Sequence, residues 1–232
     1  MIRAVLVISL MIFISGCDPD DDCISGNGNY VVEEYRPGYF ENVSNPFSGS
    51  VRLKSGDSKV KVSAESNLIH YLDIRAEGVD LRLGSDDICF SSHGIDFTFY
   101  SPAYKVLNNN GSADWTSDYL ELDPVIISNG SGDIELTGES DEQDIRSAGS
   151  GDIDLRKMPA NSVDIEVNGS GDVSVIAREY AEVKINGSGD VSIDSLSGIL
   201  KVFINGSGDL YYSGSPAESH ITTNGSGRVY RK

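Results

Sequence analysis

Val183-Lys184-Ile185-Asn186-Gly187-Ser188-Gly189-Asp190-Val191-Ser192-Ile193 alternates apolar or glycine residues with polar ones at every step. Val183, Ile185, Gly187, Gly189, Val191 and Ile193 fall on one side and Lys184, Asn186, Ser188, Asp190 and Ser192 on the other, the period of a half-buried strand. The same parity returns in Ile165-Val167-Gly169-Gly171-Val173-Val175 and in Val202-Ile204-Gly206-Gly208-Leu210-Tyr212. Gly-Ser-Gly begins at Gly130, Gly149, Gly169, Gly187, Gly206 and Gly225, at intervals of 19, 20, 18, 19 and 19 residues, with a degenerate copy at Asn110-Gly111-Ser112-Ala113-Asp114. A period this short, flanked by β-branched residues, predicts one coil of a solenoid per repeat, because each turn buries its apolar side only by stacking on its neighbours. The fold class is therefore all-β: a single-stranded β-helix or β-solenoid of about 19 residues per coil, regular over 108–232.

Stacked coils turn each outward motif position into a column with a spacing of about 4.8 Å. One column is Asn129, Ala148, Asn168, Asn186, Asn205 and Asn224; the next is serine from Ser131 to Ser226; the third is Asp133, Asp152, Asp172, Asp190 and Asp209. Neighbouring carboxylates at that spacing repel by roughly 1 kcal/mol in a watery dielectric, so something must relieve the row. One reading has the aspartates splay into water or accept hydrogen bonds from nearby turn backbones; the other has them bind a divalent cation. Arg146, Glu166 and Lys184 stack opposite charges two residues before the Asn column and favour one register. The inward glycines predict a sharp bend or a close approach to the opposite wall. In the last copy Arg228 replaces the aspartate, and with Arg231-Lys232 it reads as a charged cap. Tyr211, Tyr230 and, by parity, Phe203 are expected on one outward surface, either as a structural stack or as a ligand patch.

Upstream, residues from 30 to about 107 alternate less regularly and predict irregular N-terminal coils that close the other end. Leu72-Asp73-Ile74-Arg75-Ala76 and Val79-Asp80-Leu81-Arg82-Leu83 read as a hairpin turning at Glu77-Gly78. No stretch of 10–12 residues carries a helical period.

Residues 1–16 carry Arg3 and an apolar run from Ala4 to Ile14, too short to span a bilayer, and read as a signal peptide. The run ends in Ile14-Ser15-Gly16-Cys17, which resembles the lipobox of bacterial lipoproteins and implies cleavage before Cys17 and lipid on its sulfur. Residues 17–29, with Asp18-Pro19-Asp20-Asp21-Asp22, read as an acidic tether, and 30–232 as one domain. Cys23 and Cys89 remain in a compartment that permits oxidation and are candidates for a disulfide.

With 18 Lys and Arg against 36 Asp and Glu, the formal charge is −18, which argues against nucleic acid as a partner. Three cysteines and three histidines, widely scattered, give no zinc or iron–sulfur spacing, and no cofactor is implied.

The run Val125 to Tyr230, with its returning Asn-Gly-Ser-Gly-Asp followed by Ile, Val or Leu, resembles the head GIN domain family of putative autotransporter adhesins. The likeness extends upstream through Gly26-Asn27-Gly28-Asn29-Tyr30-Val31-Val32 and Phe47-Ser48-Gly49-Ser50-Val51-Arg52-Leu53. The resemblance implies a β-helix-like domain on secreted or lipid-anchored bacterial proteins, a binding or adhesive role and no catalytic residues. The expectation is a noncatalytic cell-envelope lipoprotein, held to the outer membrane or cell surface by its anchor, that binds a glycan or envelope protein. Its oligomeric state is open. The alternative is a β-helix carbohydrate-active enzyme or a calcium-dependent polysaccharide-binding protein, although acids in a ladder lack the paired geometry of a glycosidase cleft.

Overall fold

Each Asn-Gly-Ser-Gly-Asp segment is a corner in the computed structural model, which describes residues 23–85, 89–91 and 94–232. One sheet holds the strands before the corners: Val106–Asn109, Val125–Ser128, Glu142–Ser147, Ala160–Val167, the second half of Val173–Ile185, Ile199–Ile204 and Glu218–Thr223. We call it the leading sheet. The trailing sheet holds the strands after them: Asp114–Glu121, Ile134–Glu139, Ile153–Lys157, the first half of Val173–Ile185, Val191–Leu196, Leu210–Gly214 and Val229–Arg231. Every neighbouring pair in these two sets is parallel and one repeat apart, as Lys184 beside Phe203 and Val191 beside Leu210 show. The chain is a β-solenoid with coils of about 19 residues.

The parity read from the sequence survives the corner, but the motif is not one strand. Val183, Ile185, Gly189, Val191 and Ile193 are all buried, yet the first two belong to the leading sheet and the last two to the trailing one. Both sheets aim alternate residues at a shared core, so each coil closes on Val, Ile and Leu, including Leu196, Leu200, Val202, Ile204 and Leu210. Burying an aliphatic side chain of this size contributes roughly 1.5–3 kcal/mol, and the repeat supplies several per coil.

The corner glycines are needed for an approach along the solenoid axis, not toward the opposite wall. A Cβ on Gly187 would sit 2.1 Å from the carbonyl oxygen of Gly169 in the preceding coil, and one on Gly189 would sit 2.1 Å from that of Gly171. The same overlap recurs from Gly130 to Gly227. Ser188 donates its backbone N–H to Gly169 O at 2.9 Å and Ser207 to Gly187 O at 2.9 Å, so the corners continue the inter-coil hydrogen bonding of the strands.

The N-terminal part leaves the parallel pattern. Lys59–Glu65 runs antiparallel beside both Tyr30–Tyr35 and Asp96–Ser101, and Asp96–Ser101 lies parallel to Ser50–Ser55, which joins the trailing sheet at Asp114–Glu121. On the other side, Asn42–Asn45 joins the leading sheet at Val106–Asn109 and carries Asp80–Gly84 on its far edge. Asp73–Glu77 and Asp80–Gly84 form the expected hairpin, but Glu77 pairs with Asp80, so the turn is Gly78-Val79. Gly78, at φ +69°, takes the first central position, where a II′ turn requires glycine. Phe40, Phe97, Phe99, Tyr104 and Trp115 fill this end of the core with larger side chains. Among the described residues the only helical turn is the 3-10 segment Ile69–Tyr71, and no helix is long and apolar enough to cross a membrane.

Candidate functional site

The polar columns form along the corners, and most of their contacts are with one another. Asp152 N donates to Asp133 Oδ1 at 2.8 Å, Asp172 N to Asp152 Oδ1 at 2.8 Å, Asp190 N to Asp172 Oδ1 at 2.8 Å and Asp209 N to Asp190 Oδ1 at 2.7 Å. Asp133 N donates to Asp114 Oδ1 below, and Arg228 N to Asp209 Oδ1 above. Each carboxylate therefore bonds the backbone of the next coil, which offsets the repulsion along the row. The aspartates are half-buried or exposed, and Asp209 Oδ2 also accepts from the Tyr211 hydroxyl at 3.3 Å. Among the described residues no group of three or more His, Cys, Asp or Glu is arranged to hold a metal ion.

The asparagines form a parallel amide ladder. Asn129 Nδ2 donates to Asn110 Oδ1, Asn186 to Asn168, Asn205 to Asn186 and Asn224 to Asn205, at 2.9–3.1 Å. The ladder is interrupted at Ala148. The serines between the two ladders are exposed. Arg146, Glu166 and Lys184 do lie in register. Their ion pairs nevertheless run along single strands, Arg146 to Asp144 at 2.8 Å and Lys184 to Glu182 at 2.8 Å, because residues two apart already share a face. Lys184 is held protonated above its ordinary range by the hydrogen bond from its ammonium to Glu182.

The structure separates the three aromatics. Tyr211 and Tyr230 are cross-strand partners on the trailing sheet with ring centroids 5.1 Å apart and planes 13° apart. Phe203, 40% exposed, is on the leading sheet beyond the Asn205–Asp209 corner, so it does not share their surface. Parity counts in and out correctly around a bend but does not register that the outward direction has turned.

Cys17, the leader and the Asp18–Asp22 run lie outside the described residues. Cys23 is bonded to Cys89, and the flanking pairs Ile24–Phe90 and Ser25–Ser91 run parallel. Gly28 N donates to buried Glu65 Oε1 at 2.8 Å, Asn27 N to Asn67 Oδ1 at 3.0 Å and Asn67 Nδ2 to Ser25 O at 2.8 Å. The chain is thus fastened to the N-terminal end from Cys23 onward, seven residues before the expected domain start at residue 30. The sequence carried a signal for this in the Asn27 and Asn29 that flank Gly28, but the partners are some 40 residues away.

Residues 40–196 match the family described as "Putative auto-transporter adhesin, head GIN domain". The chain belongs to the head GIN domain family. The coils of the head GIN domain continue past the matched segment, through the strand Val229–Arg231. A putative adhesin from Bacteroides fragilis superposes with a TM-score of 0.76 at 17% identity, covering 90% of this chain and 100% of its own. A protein from Parabacteroides distasonis described as a putative lipid binding protein gives 0.71 at 21% identity, covering 90% and 99%. A putative adhesin from Parabacteroides merdae gives 0.70 at 18%, covering 91% and 99%. At these identities the likeness establishes the shared head GIN fold. A comparison with curated proteins finds no match.

Proposed function

We propose that this head GIN protein is a noncatalytic, lipid-anchored protein of the bacterial cell envelope whose solenoid offers a binding or adhesive surface. The observation that carries the reading is the fate of the motif's polar groups. The Asp and Asn columns are spent on holding coils together, which is the work of a rigid display scaffold and not of a converging catalytic cluster. Family membership supports the adhesive role, and the adhesin and lipid-binding descriptions of the structural neighbours are of the same kind. Anchoring rests on Ile14-Ser15-Gly16-Cys17. With Cys23 fastened to the irregular end of the solenoid, an anchor at Cys17 places that end next to the membrane and projects the regular coils away from it. The stacked Tyr211 and Tyr230, the latter 38% exposed, lie on the distal part and are one contact point for a partner.

Two measurements test the reading. Radiolabelled lipid is expected to enter the wild-type chain and not Cys17→Ser; equal incorporation refutes the anchor. Bacteria displaying the full chain are expected to be retained on polysaccharide- or mucin-coated surfaces better than bacteria lacking it, and equal retention removes the adhesive role.

A further inference from the structure

On the side of the solenoid opposite the Asn-Gly-Ser-Gly-Asp corners, the trailing strands return to the leading sheet, and the coils there do not stack flush. The return takes four residues at 102–105, three at 122–124 and two at 140–141 and 158–159. The strand Asp114–Glu121 also bulges between Thr116 and Tyr119. Two open clefts of about 340 and 400 Å³ lie here on either side of residues 121–122. Ser55, Pro102, Tyr104 and Tyr119 line the first, Asp123, Glu139, Asn161 and Arg178 the second, and Glu121 and Leu122 line both. The lining residues from 102 to 178 belong to five successive coils, so the two adjoining clefts together extend about 19 Å along the axis as one interrupted groove.

We infer that this groove binds an oligosaccharide, with a sugar ring lying on Tyr119 and its hydroxyls bonded by Glu121 and Glu139. Tyr119 is 55% exposed, an unusual state for a large ring in a strand, and it offers an apolar face with polar groups around it. Glu121 is the cross-strand neighbour of Glu139, and Tyr119 of Thr137, so both carboxylates lie beside the ring. Desolvation of the phenol, and after it the charges of Glu139 and Glu121, raise Tyr119 above its ordinary range. Neither carboxylate has a hydrogen-bond or ion-pair partner among the described residues, whereas Asp123 and Asp141 do. Asp123 accepts from Asp141 N at 2.7 Å, and Asp141 from Asn161 Nδ2 at 2.7 Å. Arg178 lies at the far end, and among the described residues its guanidinium has one hydrogen-bond contact, to Asn161 Oδ1 at 3.5 Å. Acceptors at the ring and a donor at the end match a polyhydroxylated chain, which offers both kinds of group along its length.

Other occupants fit less well. A lipid tail or drug-like ligand needs a largely apolar lining, and here carboxylates, an amide, a guanidinium and hydroxyls dominate. An extended peptide usually adds to a long free strand edge, but here only the short runs Tyr119–Glu121 and Gly138–Glu139, on different coils, are paired on one side alone.

The inference rests on the binding role proposed above and is tested separately from it. The full chain, disulfide intact and in detergent, is titrated calorimetrically with cellohexaose, maltohexaose and chitohexaose. At least one is expected to bind with a Kd near or below about 1 mM. Tyr119→Ala and the double variant Glu121→Gln/Glu139→Gln are each expected to weaken it about tenfold or more without lowering the melting temperature, while Ser188→Ala, on the exposed corner side, leaves it unchanged. The glutamine pair keeps the side-chain volume, so it decides the matter if Tyr119→Ala does not fold. Binding by none of the three sugars overturns the groove, as does binding that survives both groove variants. Surface retention that persists without sugar binding leaves the adhesive reading standing and removes only the groove; loss of both removes both.

Discussion

Replacing Gly187 by alanine tests the idea that the repeat glycines exist for the approach of neighbouring coils. The added Cβ would lie 2.1 Å from Gly169 O, about 1.3 Å short of the 3.4 Å at which ordinary contact begins. Backbone atoms of Asn168 at 2.7 Å prevent a sideways escape. Relief therefore requires the two coils to part by roughly that distance. Such a shift would stretch Asn186 N to Val167 O from 2.8 Å, Gly187 N to Val167 O from 3.0 Å and Ser188 N to Gly169 O from 2.9 Å beyond hydrogen-bond length. Losing two or three such bonds at about 1 kcal/mol each, together with the strain of overpacking, gives about 3–5 kcal/mol of destabilisation. For a chain of this size the melting temperature should fall by about 6–20 °C. Because solenoid stability is a sum of neighbour terms, hydrogen exchange should accelerate first in the coils around residues 167–206. Ser188→Ala, whose side chain is exposed, and Gly84→Ala, where a Cβ meets nothing within 4 Å, serve as controls and should stay within about 0.5 kcal/mol of wild type. A Gly187→Ala protein whose urea midpoint matches these controls would falsify the account of the corner.

Asp172→Asn retains an acceptor for Asp190 N and should stay within about 0.5 kcal/mol of wild type, whereas Asp172→Ala should lose about 1–2 kcal/mol in urea unfolding; equal losses would mean charge, not the hydrogen bond, is what matters. Cutting the Cys23–Cys89 bond with the double serine variant frees a loop of 66 residues and should lower stability by up to about 4 kcal/mol, with faster exchange confined to the N-terminal end; unchanged exchange in Tyr30–Tyr35 would count against it. Burial holds the Tyr104 phenol well above 10, its ordinary value, with its hydroxyl donating to Lys54 O and Phe99 O at 2.9 Å. Since the unfolded chain ionises this group first, its contribution is complete below pH 10 and is lost as pH rises through the folded value; Tyr104→Phe should flatten alkaline unfolding, and an unchanged slope would assign it to other tyrosines.

The regular coils were legible because their information is local. Val183, Ile185, Val191 and Ile193 declare the inside, the 18–20-residue interval fixes the register, and the outward Asp row follows from both. The hydrogen-bonding reading of the Asp row was likewise available from aspartate's habit of bonding turn backbones. The corner itself is hidden, since alternation continues unbroken through Asn205–Asp209 while the chain changes direction, and parity alone therefore puts Phe203 beside Tyr211. At the N-terminal end the pattern failed for a different cause. Lys59–Glu65 pairs with Asp96–Ser101 instead of with its predecessor Ser50–Ser55, a choice made by distant residues and by the larger ring-filled core.

The same division separates scaffold from candidate function. Where the period is strict, each outward Asp or Asn has an identical neighbour one coil away, and identical neighbours at about 4.8 Å satisfy each other. On a repeated surface of that kind the Asp and Asn groups are committed between coils, and the exposed serine hydroxyls are what it has left for recognition. Where the period breaks, at the bulge before Tyr119 and the lengthening returns at 102–105 and 122–124, stacking no longer supplies partners. There Glu121, Glu139 and Tyr119 are left facing solvent in a cleft. Irregularity in a solenoid is costly, because each displaced residue forfeits contacts with two neighbouring coils. A groove that concentrates several such departures on adjacent coils is therefore where recognition by this fold is best sought, and its side chains can change without disturbing the ladders that hold the coils in register.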